Sequence, residues 1–269
     1  MTAISAHRQF VTQLQNFDNE ARNAARYVYA DLAVQHAASK SKRLLHRLND
    51  TPTFWLTTAA AFQTAAYISL GRIFDNNSRY NINQLLNSAE SNIALFQRKA
   101  LAERKREGRT ADPPWLDDYL KKAYYLSARD FALLRKRVDK YRALYEKAIK
   151  PARNKYIAHR EKQEHSEVSA LFGRGMTKDL WRLTTFLQQL HETLWNLLHN
   201  GRKPRLRPMR YSVPAMFSKP PIGSSAHEAI VRETQQVMQL IEHATPNPPL
   251  QRTRRSASSR SAGTGAACR

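Results

Sequence analysis

The chain has a single cysteine in 269 residues, Cys268, next to its last position. No intramolecular disulfide can form and no cysteine-based metal site can be assembled, which fits a reducing compartment. Glycine is almost as scarce, with eight residues. A phosphate-cradling loop needs several glycines within a few positions, whereas Gly173-Arg-Gly175 is an isolated pair, so a nucleotide-hydrolysing loop of that kind is disfavoured. Runs of Val, Ile and Thr are few, and no stretch alternates apolar and polar residues as strands do. Ala, Leu, Gln, Lys and Arg dominate instead, and the composition predicts an all-α protein. Acidic residues are the remaining shortage: 22 stand against 44 Lys and Arg, for a net charge of +22.

That excess is spread along the chain. Residues 201–269 hold twelve Lys and Arg against three acids, or +9, which leaves +13 for residues 1–200. A patterned region that is itself basic points to a polyanionic partner, nucleic acid first, although charge alone does not separate RNA from DNA or from an acidic protein. No two histidines stand at metal-ligand spacing on one helix, and no cofactor is expected. Asp117 and Asp118 follow the break at Asp112-Pro-Pro and open a helix, where acids complement the helix dipole, so they do not read as an acid/base pair.

The N-terminus, Met-Thr-Ala-Ile-Ser-Ala-His-Arg, lacks a positively charged leader followed by an apolar stretch, so the expectation is a cytoplasmic protein without a secretory signal. Phe54 to Leu70 carries no charge, but its 17 residues include Thr57, Thr58, Gln63 and Thr64. A bilayer needs about 20 apolar residues. The segment therefore reads as a buried central helix, and no membrane association is expected.

Helical periodicity organises the rest. Phe10, Leu14, Phe17, Ala21, Val28 and Leu32 mark a long first helix, and a second is expected from about Pro52 to Phe74, with Thr51 as its cap. A third is expected over Ile82 to Glu107, ending in a basic run that reads as a solvated face. Phe131, Leu134, Val138, Tyr141, Tyr145, Ala148, Ala152, Tyr156 and His159 keep one apolar face, and Leu180, Leu183, Leu187, Leu190, Leu194 and Leu197 form a coiled-coil-like seam. Residues 201–225, with Arg202-Lys-Pro-Arg-Leu-Arg-Pro-Met-Arg, read as a basic Pro-rich linker. Ala226 to His243 reads as one more short helix with Ile230, Val237, Leu240 and Ile241 apolar and Ser224 or Ser225 as cap, and residues 244–269 as a disordered tail.

Chemistry concentrates in Arg153-Asn-Lys-Tyr-Ile-Ala-His159-Arg-Glu161. An arginine can hold and neutralise a phosphate while a histidine, titrating near neutrality, moves protons, a pair suited to phosphodiester chemistry without a metal. Arg followed after four to six residues by His would arise roughly three times by chance in this composition. It occurs twice, at Arg153/His159 and Arg160/His165, and requiring Asn directly after the arginine leaves only the first. Upstream, Leu70-Gly-Arg-Ile-Phe-Asp75 ends the uncharged helix with Arg72 and Asp75 three apart, the spacing of a local ion pair.

These elements, with the stretch Tyr156-Ile-Ala-His-Arg160, resemble the HEPN superfamily, in particular its AbiU-like abortive-infection branch, over about residues 5–200. The resemblance implies an up-and-down helical bundle acting as a metal-independent endoribonuclease of toxin or phage-defence type. Arg153, Asn154 and His159 are then its catalytic residues, with Arg72, Asp75 and Tyr156 in support. It also implies RNA, tRNA or another structured species, as substrate, a homodimer with two motifs facing each other, and an antitoxin or defence-system protein as a candidate partner. In some HEPN toxins a tyrosine two residues after the histidine is a target of nucleotidyl transfer; here Glu161 stands there, and that control is not expected.

On an ideal helix Arg153 and His159, six apart, point about 120° away from each other. Pro151 offers a kink or restart just before the arginine, and a two-fold partner can supply the missing group. Two alternatives stay open: a catalytically silent HEPN-like module that binds nucleic acid or a toxin-system partner, and a purely structural bundle.

Overall fold

A computed structural model describes residues 3–79, 81–109, 111–154, 177–206 and 226–244. Among the described residues there are helices and no strands, so the expectation of an all-α, HEPN-like helical bundle holds. The helices are α1 (Ala3–Lys40), α2 (Lys42–Asn49), α3 (Pro52–Phe74), α4 (Ile82–Ser91), α5 (Arg98–Arg106), α6 (Leu116–Lys122), α7 (Ala128–Ala148), α8 (Lys150–Ala152), α9 (Thr177–Asn200) and α10 (Ala226–His243). A 3-10 turn, Ile93–Phe96, sits between α4 and α5.

The long α1 is the spine, packed against α3, α9, α10 and α4. Its predicted apolar face is entirely buried, with Phe10, Leu14 and Ala21 at zero exposure. The leucine seam of α9 is likewise buried from Leu180 to Leu197, and both faces meet in one core with Phe74, Phe131 and Tyr145. The expected helix over Ala226 to His243 is α10, which docks on α1 and α2. It buries Met238 and packs Ile230, Val231 and Ile241, while Val237 and Leu240 face outward at 48% and 73% exposure, so its apolar face is rotated from the expected one.

Two expectations about helices need correction. Ile82 to Glu107 is interrupted: Asn92 ends α4 at φ −116, ψ 39, its side-chain amide donating to Ser88 O at 2.8 Å. Gln97 then turns extended, which lets Leu95 and Phe96 enter the core. The uncharged helix α3 is central only in its second half, from Ala66 to Phe74, because Phe54 and Leu56 are 62% and 72% exposed. Absence of charge is no measure of burial, since most protein surface is contributed by apolar atoms. Among the described residues no helix is long and apolar enough to cross a membrane. Thr51 is the N-cap residue of α3 as expected, but its hydroxyl makes no capping bond. Cys268, Gly173, Gly175, Ser224, Ser225, the linker from 207 and the tail from 245 lie outside the described residues.

Candidate functional site

The site begins where α7 stops. Ile149 breaks the helix at φ −110, ψ −46, and the short α8 restarts it with Pro151, which has no N–H to offer the preceding turn. Arg153 and Asn154 continue in a wider, π-type turn, with the Arg153 N–H donating to Ile149 O at 3.0 Å. The restart expected at Pro151 is therefore present, displaced to begin at Lys150. Its effect is to carry the Arg153 side chain across to the end of α3.

There Nη1 of Arg153 pairs with Oδ2 of Asp75, both side chains being about four-fifths buried, at 19% and 22% exposure. Nε and Nη2 of Arg153 both donate to Oδ1 of Asn154, at 3.2 and 2.7 Å. The other Asp75 oxygen accepts from the Tyr145 hydroxyl at 3.2 Å, and the Tyr145 ring stacks on Phe74 at 5.2 Å with the planes 18° apart. Burial pushes the Tyr145 phenol up from its ordinary value; Arg153 opposes that and Asp75 adds to it, so the hydroxyl keeps its proton and stays a donor. Asp75 is the hinge of this cluster, fixed from one side by α7 and from the other by the turn after α8.

A guanidinium carries five donors, and the partners just named take three. Among the described residues the other two N–H groups, one on each terminal nitrogen, have no partner. The cation is thus held in a fixed pose with N–H groups to spare, the chemistry by which a guanidinium receives a phosphate.

The local ion pair expected between Arg72 and Asp75 is not formed. Arg72 reaches Glu20 of α1 at 3.0 Å and is 61% exposed, while Asp75 turns to Arg153. Asp75 keeps the helical position, its N–H donating to Gly71 O at 2.9 Å, but its carboxylate is taken by Arg153 while Glu20 of α1 takes Arg72. The structure thus brings Arg153, Asn154 and Asp75 together and sends Arg72 elsewhere; Tyr156 and His159 lie outside the described residues. Sequence reasoning missed the Tyr145 hydroxyl, reading Tyr145 only as part of an apolar stripe. An aromatic with a polar tip on a core face was the available signal.

The basic run of α5 and the turn after it is largely the solvated face expected of it, with Arg98, Lys99, Glu103, Glu107 and Arg109 exposed, but Arg104 turns inward. Arg104 donates through Nη2 to Leu95 O and Leu198 O, each at 2.7 Å, Arg98 meets Asp117 at 2.6 Å, Lys105 meets Asn200 Oδ1 at 3.1 Å, and Arg106 pairs with Asp112. These cations tie helix ends and loops together. Among the described residues no three His, Cys, Asp or Glu side chains form a group that could hold a metal ion.

The fold that carries this cluster is an all-helical, HEPN-like bundle. The family model described as AbiU2 matches residues 8–211, and the chain belongs to that HEPN family. Helix α10 lies beyond the matched region. No curated protein and no solved structure matches the chain.

Proposed function

We propose that this protein is a metal-independent endoribonuclease of the toxin or phage-defence kind. The observation that supports the reading best is the pose of Arg153, anchored by Asp75 and Asn154 with one N–H on each terminal nitrogen left without a partner among the described residues. In this mechanism His159 takes the proton of an RNA 2′-hydroxyl, the 2′-oxygen attacks the adjacent phosphorus, and the bond to the 5′-oxygen breaks. That oxygen leaves with the proton that His159 has taken up, which returns the histidine to its starting state, and the products are a 2′,3′-cyclic phosphate and a 5′-hydroxyl. Arg153 stabilises the charge that develops on the phosphoryl oxygens, and Asn154 keeps the guanidinium oriented. The basic charge of residues 1–200 supplies the attraction for RNA. Because an ideal helix would point Arg153 and His159 about 120° apart, the active unit in this reading is a homodimer in which the two motifs complete each other.

The test incubates purified wild type and His159→Ala with tRNA and total RNA in EDTA and maps the fragment ends. Fragments with 2′,3′-cyclic phosphate ends from wild type alone are the expected result. One observation favours a second reading: Asp75 already neutralises Arg153, as a structural arginine would be neutralised. If neither protein cleaves and both bind RNA in a salt-sensitive way, the chain is a catalytically silent binding module.

A further inference from the structure

We propose that Gly71 is the positioning residue for Arg153, the point at which α3 gives up its side chain so that the guanidinium can reach Asp75; its catalytic consequence rests on the ribonuclease reading above. A Cβ built at Gly71 would lie 2.0 Å from Nη1 of Arg153 and 3.0 Å from both Cδ and Cζ. The three nearest atoms all belong to that one side chain. Backbone freedom is not the reason for the glycine. Gly71 lies within α3, one turn before its end, and the positive-φ glycines among the described residues are Gly108 and Gly201. Glycine is a poor helix former, so its place in a buried helical turn asks for a steric cause, and the Arg153 side chain is that cause.

The geometry also fixes what a methyl group would do. The obstructing atoms are the far end of a flexible side chain and not backbone, so α3 would stay helical and Arg153 would be pushed off. The Asp75 contact through Nη1 would go first, since Nη1 is the atom nearest the new carbon. Asn154, adjacent in the chain, could follow the displaced guanidinium, but its turn is set by the backbone after Pro151. Arg153 would keep its charge and lose its pose. This separates Gly71 from an ordinary packing residue, whose enlargement disturbs the core around it.

The experiment is a folding cycle on the full chain with Gly71→Ala, Arg153→Ala and the double variant, together with RNA cleavage kinetics. Gly71→Ala is expected to weaken folding when Arg153 is present and to strengthen it when Arg153 is alanine, because only the helix-propensity gain then remains. The two backgrounds should differ by ~5-fold or more in the folding equilibrium constant. An equal effect in both would overturn the proposal. The double variant has no clash and is expected to fold, so the cycle can be read even where Gly71→Ala alone is unstable. In kinetics, Gly71→Ala should lower kcat ~10-fold or more at a temperature where it is folded, with KM for RNA little changed. A folded Gly71→Ala protein that cleaves with wild-type kcat would also overturn it. Absence of cleavage by wild type would strike the ribonuclease reading alone, and the folding cycle would still decide whether Gly71 positions Arg153.

Discussion

Arg153 and Asp75, 78 residues apart in sequence, form an ion pair about four-fifths removed from solvent, and the Tyr145 hydroxyl of α7 holds the same carboxylate. The pair joins the two short sequence elements that carry the family resemblance, Leu-Gly-Arg-Ile-Phe-Asp and Arg-Asn-Lys-Tyr-Ile-Ala-His. Each is uninformative alone. Together they define one site, in which the first element supplies the anchor and the second supplies the cation.

Replacing Asp75 by Asn keeps the shape of the anchor and removes its charge. Arg153 would then be buried without a counter-ion, a loss expected to destabilise the fold by about 1–3 kcal/mol, more than a surface pair contributes. Denaturant unfolding of Asp75→Asn against wild type measures this. A change under about 0.3 kcal/mol would show that the pair contributes as little as an exposed one.

Arg153→Lys tests whether the fork or the charge matters. An ammonium can take the place of Nη1 against Asp75, but it cannot also donate to Asn154 Oδ1 in the forked geometry of Nε and Nη2 and keep N–H groups for a phosphate. Cleavage is therefore expected to fall ~100-fold while the folding midpoint moves little. Wild-type cleavage by Arg153→Lys would mean that a point charge suffices.

The fold was legible because its signals are periodic and additive. The α1 face from Phe10 to Leu32 and the α9 seam from Leu180 to Leu197 each repeat an apolar residue every three or four positions, and both are buried. Half the site was legible too, in Arg153 and Asn154. What could not be read was pairing across elements. Asp75 stands three residues from Arg72, yet each finds a partner on another element, Arg72 on Glu20 of α1 and Asp75 on Arg153 after α8. Similarly, α5 shows a run of cations in sequence, and only the fold reveals that Arg104 faces two carbonyl groups rather than water.

Arg104→Ala should therefore behave as a structural lesion. Its Nη2 serves Leu95 O at the 3-10 turn and Leu198 O in the last turn of α9, and both acceptors would lose a charged donor. Destabilisation of about 1.5–3 kcal/mol is expected, with RNA affinity unchanged at temperatures where the variant is folded. A selective loss of RNA affinity with unchanged stability would instead make Arg104 part of the nucleic-acid surface.

The same end of the bundle should make the fold acid-sensitive. His199, near the end of α9 with its ring 4.0 Å from that of Trp195 and tilted by 38°, is pushed down to about 4 by burial first and then by Arg104, His7 and Lys105. His7 on α1 is lowered as well, by burial and by Arg104. A folded-state value below the ordinary 6.5 means that between about pH 6.5 and 4 the unfolded chain takes up a proton that the folded chain refuses. Stability is complete above 6.5, falls as the pH drops through that window, and levels off below 4, where both states are protonated at His199. The loss assignable to His199 should be about 1–2 kcal/mol once solvent screening at this partly exposed position is allowed for. Unfolding free energies at pH 7, 5.5 and 4.5 for wild type and His199→Gln give the comparison, with His7 left to supply a smaller residual slope in the variant. If the two proteins lose stability in parallel across that range, the histidine is protonated in the folded state and the cluster tolerates its charge.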